Sequence, residues 1–415
     1  MNALKLPQLA WFGTKSLELP VPEGWQVEVC NMAGYDRPAL TPDQIKAAVT
    51  QNLIGAPPIR ELAKGKKEVV IIFDDMTRVT RAADIVPFVV EELEEAGIPD
   101  NRIRFIVALG CHGAMNRADF IKKLGEATIA RFPVYNHNPF DNCVYAGTTS
   151  FGTEVYLNAE VMKCDFKIAI GSITPHVMSG FGGGWKIIVP GIASFESINA
   201  LHLLYQLLPK ERQQQTTTEA GVIENNPIYQ NIEEGASFSG LDIKIETLFN
   251  HWGETAAVYA GTPKEAYAAS VEDGKTHFHT PRARDKDIVI ANTFAKANEA
   301  TLGIPIASPS VKSTGGDIVL IANAPEGQTV HYLMGHFGKM IESKQPLRVI
   351  TPQSVKHLIV FTEYPDLGGR GYFEQTDKVL YMHRWDDVLN ALREFHGDKA
   401  QVAVYPHAEV QYCKS

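Results

Sequence analysis

The sequence has little of what marks several classes of protein. Its five cysteines are dispersed, and no two form a CxxC pair, which argues against a disulfide scaffold or a thiolate zinc site and fits reduced thiols. It has no run of eighteen apolar residues, so we expect no membrane span. The first residues, MNALKLPQLAWFGTK, lack a basic flank followed by a long apolar run, so we expect no signal peptide. These absences predict a cytoplasmic protein.

Basic residues and nucleotide-binding motifs are also scarce. Lysine and arginine number 39 against 48 acidic residues, a net charge of −9, which argues against nucleic acid as a partner. No GxGxxG follows a strand with an acid about twenty residues later, and no GxxxxGK[ST] is present. The sequence therefore disfavours a conventional nicotinamide oxidoreductase and a P-loop protein.

The order of apolar segments predicts an α/β fold with two domains. Strands are expected at 68–73, 103–109 and 166–171, with helices between them, which is typical of a mainly parallel, Rossmann-like sheet. Further strands are expected at 287–292, 317–323 and 357–361, after a polar stretch at 272–286. We therefore predict a larger N-terminal α/β domain over 1–275 and a C-terminal α/β domain over 285–415. The active site is expected in the cleft between them, with the second domain closing over it.

One stretch, from Thr174 to His202, concentrates reactive side chains behind the strand at 166–171. Its sequence is TPHVMSGFGGGWKIIVPGIASFESINALH. Three consecutive glycines let a ligand approach the main chain, and Lys186 offers a cation or an amine nucleophile. Ser194 is expected to cap a helix in which His202 lies two turns from the start. The alternative is a glycine-rich turn with a packed histidine at either end.

Two other loops also follow strands. The segment DDMTRVTR, with Asp75 and Arg78, follows the strand at 68–73, and GCHGAM, with His112, follows the strand at 103–109. Acids and arginines at the end of a strand can hold a phosphate, a carboxylate or a metal, although a solvated, salt-bridged loop is the alternative. Because such loops gather along one edge of a parallel sheet, we expect these side chains to converge with His176 and Lys186.

Taken together, these motifs resemble those of the nickel-pincer lactate racemase family. The match rests on DDMTRVTR, GCHGAM, ITPHVMSGFGGGWKIIVPG and INALH. The resemblance implies a nickel-pincer nucleotide, in which nickel is bound to a pyridinium-3-thioamide-5-thiocarboxylic acid mononucleotide. This cofactor would be covalently attached to Lys186, and His202 would be a ligand of its nickel. It further implies cofactor contacts from Asp75, Thr77, Gly182, Gly183 and Gly184. Enzymes of cofactor biosynthesis and nickel insertion are the implied partners.

The same resemblance implies a reaction. His112 and His176 would be the acid/base pair flanking the substrate, with Arg78 as a catalytic residue beside its carboxylate or developing alkoxide. The enzyme would be an isomerase, a racemase or epimerase, that inverts C2 of a 2-hydroxy acid by reversible proton-coupled hydride transfer through a 2-keto acid. Two bases on opposite faces suit such an inversion, since neutral imidazole near pH 7 can act in both directions.

The substrate is less well defined by the residues. The family has a tyrosine–glutamine pair and a lysine early in the second domain, whereas this chain reads FAKANE at 294–299, and Trp185 is bulky. Lys296, Asn298 and Glu299 are the predicted substrate contacts here. A longer 2-hydroxy acid or a sugar acid is therefore an alternative to lactate. A nucleotide- or metabolite-binding protein without hydride chemistry is a further alternative, although such a protein would not need both Lys186 and His202.

Overall fold

The chain forms two compact units. The computed structural model describes residues 2–207, 218–338, 347–373 and 377–413. The larger unit comprises Arg37–Asn250 and Glu254–Lys275, and the smaller unit comprises Met1–Asp36, His251–Gly253 and Thr276–Ser415. The predicted α/β fold is confirmed.

The larger unit is built around a six-stranded sheet in the order β13-β12-β9-β4-β5-β6, in which only β13 is antiparallel to its neighbour. The three strands predicted for this domain lie within one residue of their expected ends. Two short hairpins, β7–β8 and β10–β11, accompany the sheet. The strands of this unit are β4 Val69–Asp74, β5 Ile103–Ala108, β6 Val134–Asn136, β7 Cys143–Thr148, β8 Glu154–Asn158, β9 Phe166–Ser172, β10 Pro175–His176, β11 Gly180–Phe181, β12 Ile243–Phe249 and β13 Thr255–Gly261.

Several helices of this unit begin at a residue whose side chain caps the first turn. The Thr41 hydroxyl accepts a hydrogen bond from the Gln44 amide, and the Asn116 side chain accepts from the Ala118 and Asp119 amides, so these two residues are the N-caps of α1 and α4. Apolar helix residues such as Val86 pack against the buried faces of β4, β5 and β9. The helices are α1 Pro42–Thr50, α2 Ile59–Leu62, α3 Val86–Glu95, α4 Arg117–Leu124, α5 Glu126–Arg131, α6 Ala159–Lys163, α7 Phe195–Leu207, α8 Pro227–Ser237 and α9 Pro263–His277.

The smaller unit holds a second six-stranded sheet, which is parallel throughout, in the order β17-β16-β15-β14-β18-β3. A β1–β2 hairpin packs its leucines against this sheet. The strands are β1 Asn2–Gln8, β2 Lys15–Val21, β3 Gln26–Val29, β14 Ile288–Asn292, β15 Gly316–Ile321, β16 Val355–Phe361, β17 Val379–Met382 and β18 Gln401–Tyr405, and the helices are α10 Gly303–Ala307 and α11 Trp385–His396.

The division of the chain differs from the predicted one at the amino terminus. The prediction assigned residues 1–275 to the first domain, but β3 pairs with β18, and Leu4 and Leu19 pack in the same apolar cluster as Val402. The first 36 residues therefore belong to the unit that the C-terminal residues build. The predicted active-site cleft between the two domains stays a prediction.

No helix among the described residues combines the length and apolar character needed to cross a membrane.

Candidate functional site

The candidate site lies where the larger sheet changes direction. From β4 the chain builds outward to β5 and β6 on one side, and then returns to add β9 and β12 on the other side. The switch point thus lies between β4 and β9, and ligands of open α/β sheets bind at the carboxyl ends of strands at such a point. Asp75 follows β4 directly, and the hairpin carrying His176 follows β9. His112 follows β5, the other neighbour of β4.

Asp75 and His112 form a buried pair. Asp75 Oδ2 lies 2.5 Å from His112 Nδ1, and the two residues are 6% and 9% exposed. Burial raises the pKa of the Asp75 carboxyl, but the His112 ring, the Arg78 charge and hydrogen bonds together lower it below the ordinary value of 3.8. An ionised Asp75 accepts a hydrogen bond from Nδ1–H of His112, so the ring keeps its hydrogen on Nδ1 and its lone pair on Nε2. This is the arrangement of an oriented general base.

Thr77 binds the other carboxylate oxygen of Asp75, and Arg78 in turn binds Thr77. Asp75 Oδ1 accepts hydrogen bonds from the Thr77 amide at 3.0 Å and from the Thr77 hydroxyl at 2.5 Å. The Arg78 Nη1 donates to the Thr77 hydroxyl oxygen at 2.6 Å and to the Thr77 carbonyl at 3.0 Å. The predicted loop residues are therefore brought together with His112. Their contacts also fix the Asp75 carboxylate plane.

A buried lysine that the sequence reasoning missed organises this loop. Lys123, on α4, has no exposed side-chain surface, and its Nζ donates to Asp74 Oδ1 at 2.6 Å and to the Arg78 and Thr80 carbonyls at 2.8 and 3.3 Å. Asp74 Oδ2 in turn accepts from the Ser172 amide at 3.2 Å. The Asp74–Lys123 pair therefore connects the loop after β4 to the end of β9.

His176 and Lys186 also meet. His176 lies in the β10–β11 hairpin, and Lys186 lies in a 3₁₀ helix over Gly184–Ile187. Lys186 Nζ is 3.0 Å from His176 Nε2 and 3.4 Å from Ser179 Oγ. On the other side of the ring, His176 Nδ1 accepts from the Met178 and Ser179 amides, each at 3.2 Å.

The glycine run is shaped by neighbouring protein groups. Gly183 and Gly184 have φ values of 72° and 54°, which favour glycine. A Cβ at Gly183 would lie 2.9 Å from Glu246 Oε2, and one at Gly184 would lie 2.4 Å from the Tyr267 ring. Glu246, fully buried on β12, accepts the Gly184 amide. Packing alone thus requires two of the three glycines, and the predicted cofactor contacts of Gly182, Gly183 and Gly184 stay predictions.

His202 has the features of a nitrogen ligand. The Ser194 hydroxyl accepts the Ser197 amide at 3.3 Å, which confirms the predicted cap of α7. Within α7, His202 Nδ1 lies 2.7 Å from the Ile198 carbonyl and donates to it. Burial lowers the pKa of His202 below 6.5, so the ring is neutral near pH 7 with its lone pair on Nε2. Metal-ligating histidines have this pattern, with the second ring nitrogen bonded to a carbonyl or carboxylate.

The remaining predicted residues lie in the smaller unit. Lys296 is 1% exposed and follows β14, and its amide donates to Glu409 Oε1 at 3.2 Å. The Asn298 carbonyl accepts the Thr329 amide, and the Glu299 amide donates to the Lys296 carbonyl. Burial raises the pKa of Glu409 to about 7. The proposed substrate contacts of Lys296, Asn298 and Glu299 stay predictions.

The sequence is similar to a known protein family and to two curated relatives. The family described as the lactate racemase N-terminal domain matches residues 12–215. The lactate racemase of Thermoanaerobacterium thermosaccharolyticum is 26% identical over 347 residues, covering 82% of this chain and 79% of that protein. The lactate racemase of Lactiplantibacillus plantarum is 29% identical over 284 residues, covering 66% of this chain and 65% of that protein.

Solved structures share the fold. The lactate racemase apoprotein from Thermoanaerobacterium thermosaccharolyticum superposes with a TM-score of 0.74 at 21% identity and covers 100% of both chains. A protein from Thermotoga maritima superposes with a TM-score of 0.66 at 19% identity, covering 91% of this chain and 99% of that one.

Proposed function

The chain belongs to the lactate racemase family, a family of isomerases, and on that premise we propose that it inverts the configuration at C2 of a 2-hydroxy acid. The observation that carries the proposal is the buried hydrogen bond from His112 to Asp75, beside the switch point of the sheet. This hydrogen bond supports a role for His112 as a base that accepts the proton of a substrate hydroxyl.

We propose that the site holds a nickel-pincer nucleotide. The donor set of this chain fits such a group. Lys186 supplies an amine for covalent attachment, and His202 supplies a neutral imidazole whose Nδ1 already donates to a carbonyl, a ligand type that suits nickel. When bound, the group supplies a hydride acceptor that no side chain of this chain can provide.

The protein's own residues would manage the protons and the substrate carboxylate. His112 Nε2 accepts the proton of the 2-hydroxyl, and the resulting imidazolium is stabilised by the ionised Asp75. Arg78 provides a positive charge for the carboxylate. A 2-keto acid is planar at C2, so that return of hydrogen to its opposite face inverts the centre. His176 would handle the hydroxyl proton on that face.

Two relatives of this chain are named lactate racemases, and we propose lactate as the first compound to test. The bulky Trp185 and the FAKANE segment at 294–299 favour testing longer 2-hydroxy acids and sugar acids beside it. The finer assignment therefore depends on a panel of pure enantiomers.

The test is loading followed by assay. The chain is co-expressed with enzymes that make the cofactor, and nickel content, the mass of the intact protein and the conversion of each enantiomer are measured. We expect about one nickel per chain, a covalent mass increase and the formation of the opposite enantiomer. Loaded protein that converts no 2-hydroxy acid in the panel would refute the racemase assignment. Neither nickel nor added mass after loading would instead favour a binding protein without hydride chemistry.

A further inference from the structure

The two ring nitrogens of His176 have partners of different kinds. Nδ1 lies 3.2 Å from the backbone nitrogens of Met178 and of Ser179, both of which can only donate. Nδ1 must therefore be the unprotonated nitrogen. A neutral imidazole carries one N–H, so the hydrogen of His176 lies on Nε2.

The state of His176 restricts the state of Lys186. Lys186 Nζ lies 3.0 Å from Nε2, which presents a hydrogen. An ammonium group has three hydrogens and no lone pair, so it cannot accept from Nε2–H. An uncharged amine has a lone pair that can accept this hydrogen.

Ser179 fits the same pattern. Its hydroxyl donates to the Phe181 carbonyl at 2.9 Å, and a carbonyl can only accept. The Ser179 oxygen is therefore left to accept a hydrogen from Lys186 at 3.4 Å. An uncharged amine satisfies both contacts at once, because it donates to Ser179 and accepts from His176.

We propose that the Met178 and Ser179 amides hold His176 in its Nε2–H form, and that His176 in turn holds Lys186 as an uncharged amine. This is the form of lysine that reacts with an electrophilic acyl carbon. The inference rests on the proposed function only for what that electrophile is. His176 acts here as a positioning residue for Lys186, before any role toward substrate.

Trace labelling with acetic anhydride tests the proposal on the cofactor-free full-length chain. The rate at each lysine is read by peptide mass spectrometry between pH 7 and pH 9. An ordinary lysine, with a pKa of about 10.4, reacts about tenfold faster for each pH unit in this range, and the 65% exposed side chain of Lys163 provides that internal standard. Lys186 is expected to react at a rate that barely changes with pH.

Two variants separate His176 from burial as the cause. In His176→Gln a side-chain oxygen can accept from an ammonium group, so the rate at Lys186 should regain most of the tenfold rise per pH unit. Ser179→Ala removes an acceptor and keeps the Nε2–H donor, so its profile should stay flat. A tenfold rise in the unmodified protein, or a flat profile in His176→Gln, would overturn the proposal.

A spectroscopic measurement on the unmodified protein tests the proposal even if a variant does not fold. With ¹⁵N-labelled histidine in the unmodified protein, Nε2 of His176 should have the shift of a protonated nitrogen and Nδ1 that of an unprotonated one, and the reverse assignment would overturn the proposal. Neither measurement needs cofactor, nickel or substrate. A flat labelling profile in a chain that never retains nickel would support this inference while contradicting the proposed function.

Discussion

Asp75→Asn should remove most of the racemase activity while leaving the fold intact. Asp75 Oδ2 accepts the Nδ1 hydrogen of His112 at 2.5 Å, and its Oδ1 accepts two hydrogen bonds from Thr77. An asparagine keeps the volume and can keep its oxygen toward Thr77. Its NH₂ group then faces His112 Nδ1 and can only donate to it, which moves the histidine hydrogen to Nε2. His112 thereby loses the lone pair that would accept the substrate proton.

The magnitude follows from the role. A general base contributes about 10²–10⁴-fold in rate, so the substitution should raise the barrier by about 3–5 kcal/mol at 1.36 kcal/mol for each factor of ten. The assay is the initial rate from each pure enantiomer, measured by chiral chromatography on protein with matched nickel content. The control is Thr77→Val, which removes the hydroxyl donor to Asp75 Oδ1 but leaves the carboxylate, and which should cost much less. An Asp75→Asn variant within threefold of the parent rate would refute the assignment of His112 as an oriented base.

Three further outcomes are expected. Lys186→Ala should carry no covalent adduct by mass spectrometry and His202→Ala no nickel by elemental analysis, each with an unchanged circular dichroism spectrum; an adduct on Lys186→Ala would contradict the anchor. His112→Ala and His176→Ala should each lose net interconversion of the enantiomers. In rapid-mixing experiments each variant should still transfer hydride from one enantiomer to the cofactor, and the two variants should prefer opposite enantiomers. Equal reduction of the cofactor by both enantiomers in both variants would mean that the two histidines do not serve opposite faces of the substrate. Burial lowers the pKa of His137 from 6.5 to about 4, so the unfolded chain binds more protons than the folded chain between those pH values. The free energy of unfolding should therefore fall by about 3 kcal/mol as the pH decreases through this window. In urea unfolding experiments the pH dependence for His137→Gln should be flatter there, and equal slopes for the variant and the parent would exclude His137 as the cause.

The central strands of the sheets could be predicted from the sequence because most of their residues are apolar. Val69–Asp74 and Phe166–Ser172 are buried on both faces, and such runs indicate parallel strands directly. The amino-terminal hairpin was not predicted. Leu4 and Leu6 alternate with polar residues in β1, and Leu19 and Val21 do so in β2, but Pro7 and Pro20 interrupt a pattern that is only a few residues long. The membership of residues 1–36 in the smaller unit depends on pairing of β3 with β18, which no local pattern indicates.

The site residues that contact one another were predicted from sequence motifs. The buried charged residues that hold them in place lie outside those motifs and were not predicted. Lys123 follows Lys122 near the end of α4, and two adjacent lysines there are typical of a solvated face. Its spacing from Phe120 puts Lys123 on the inward side, which was the available signal. Glu246 was also missed, although it lies in the buried strand β12 and a carboxylate within a buried strand needs a partner. Lys244 Nζ is that partner, 3.1 Å from Glu246 Oε2.

The two histidines begin in complementary states, and this has a consequence for the proposed reaction. His112 has its lone pair on Nε2 because its Nδ1–H donates to Asp75, whereas His176 has its hydrogen on Nε2 because two backbone amides donate to its Nδ1. The direction in which His112 accepts the hydroxyl proton is therefore the one that these hydrogen bonds prepare. For His176 to release a proton from Nε2, it must first hold a second one on Nδ1, since the imidazolate left otherwise is too basic to form. The Met178 and Ser179 amides, each 3.2 Å from Nδ1, would then have to turn away from it, so these two hydrogen bonds oppose the direction in which His176 donates. Acylation of Lys186 removes the basic lone pair that His176 faces, so attachment of the cofactor would itself free Nε2 for the substrate.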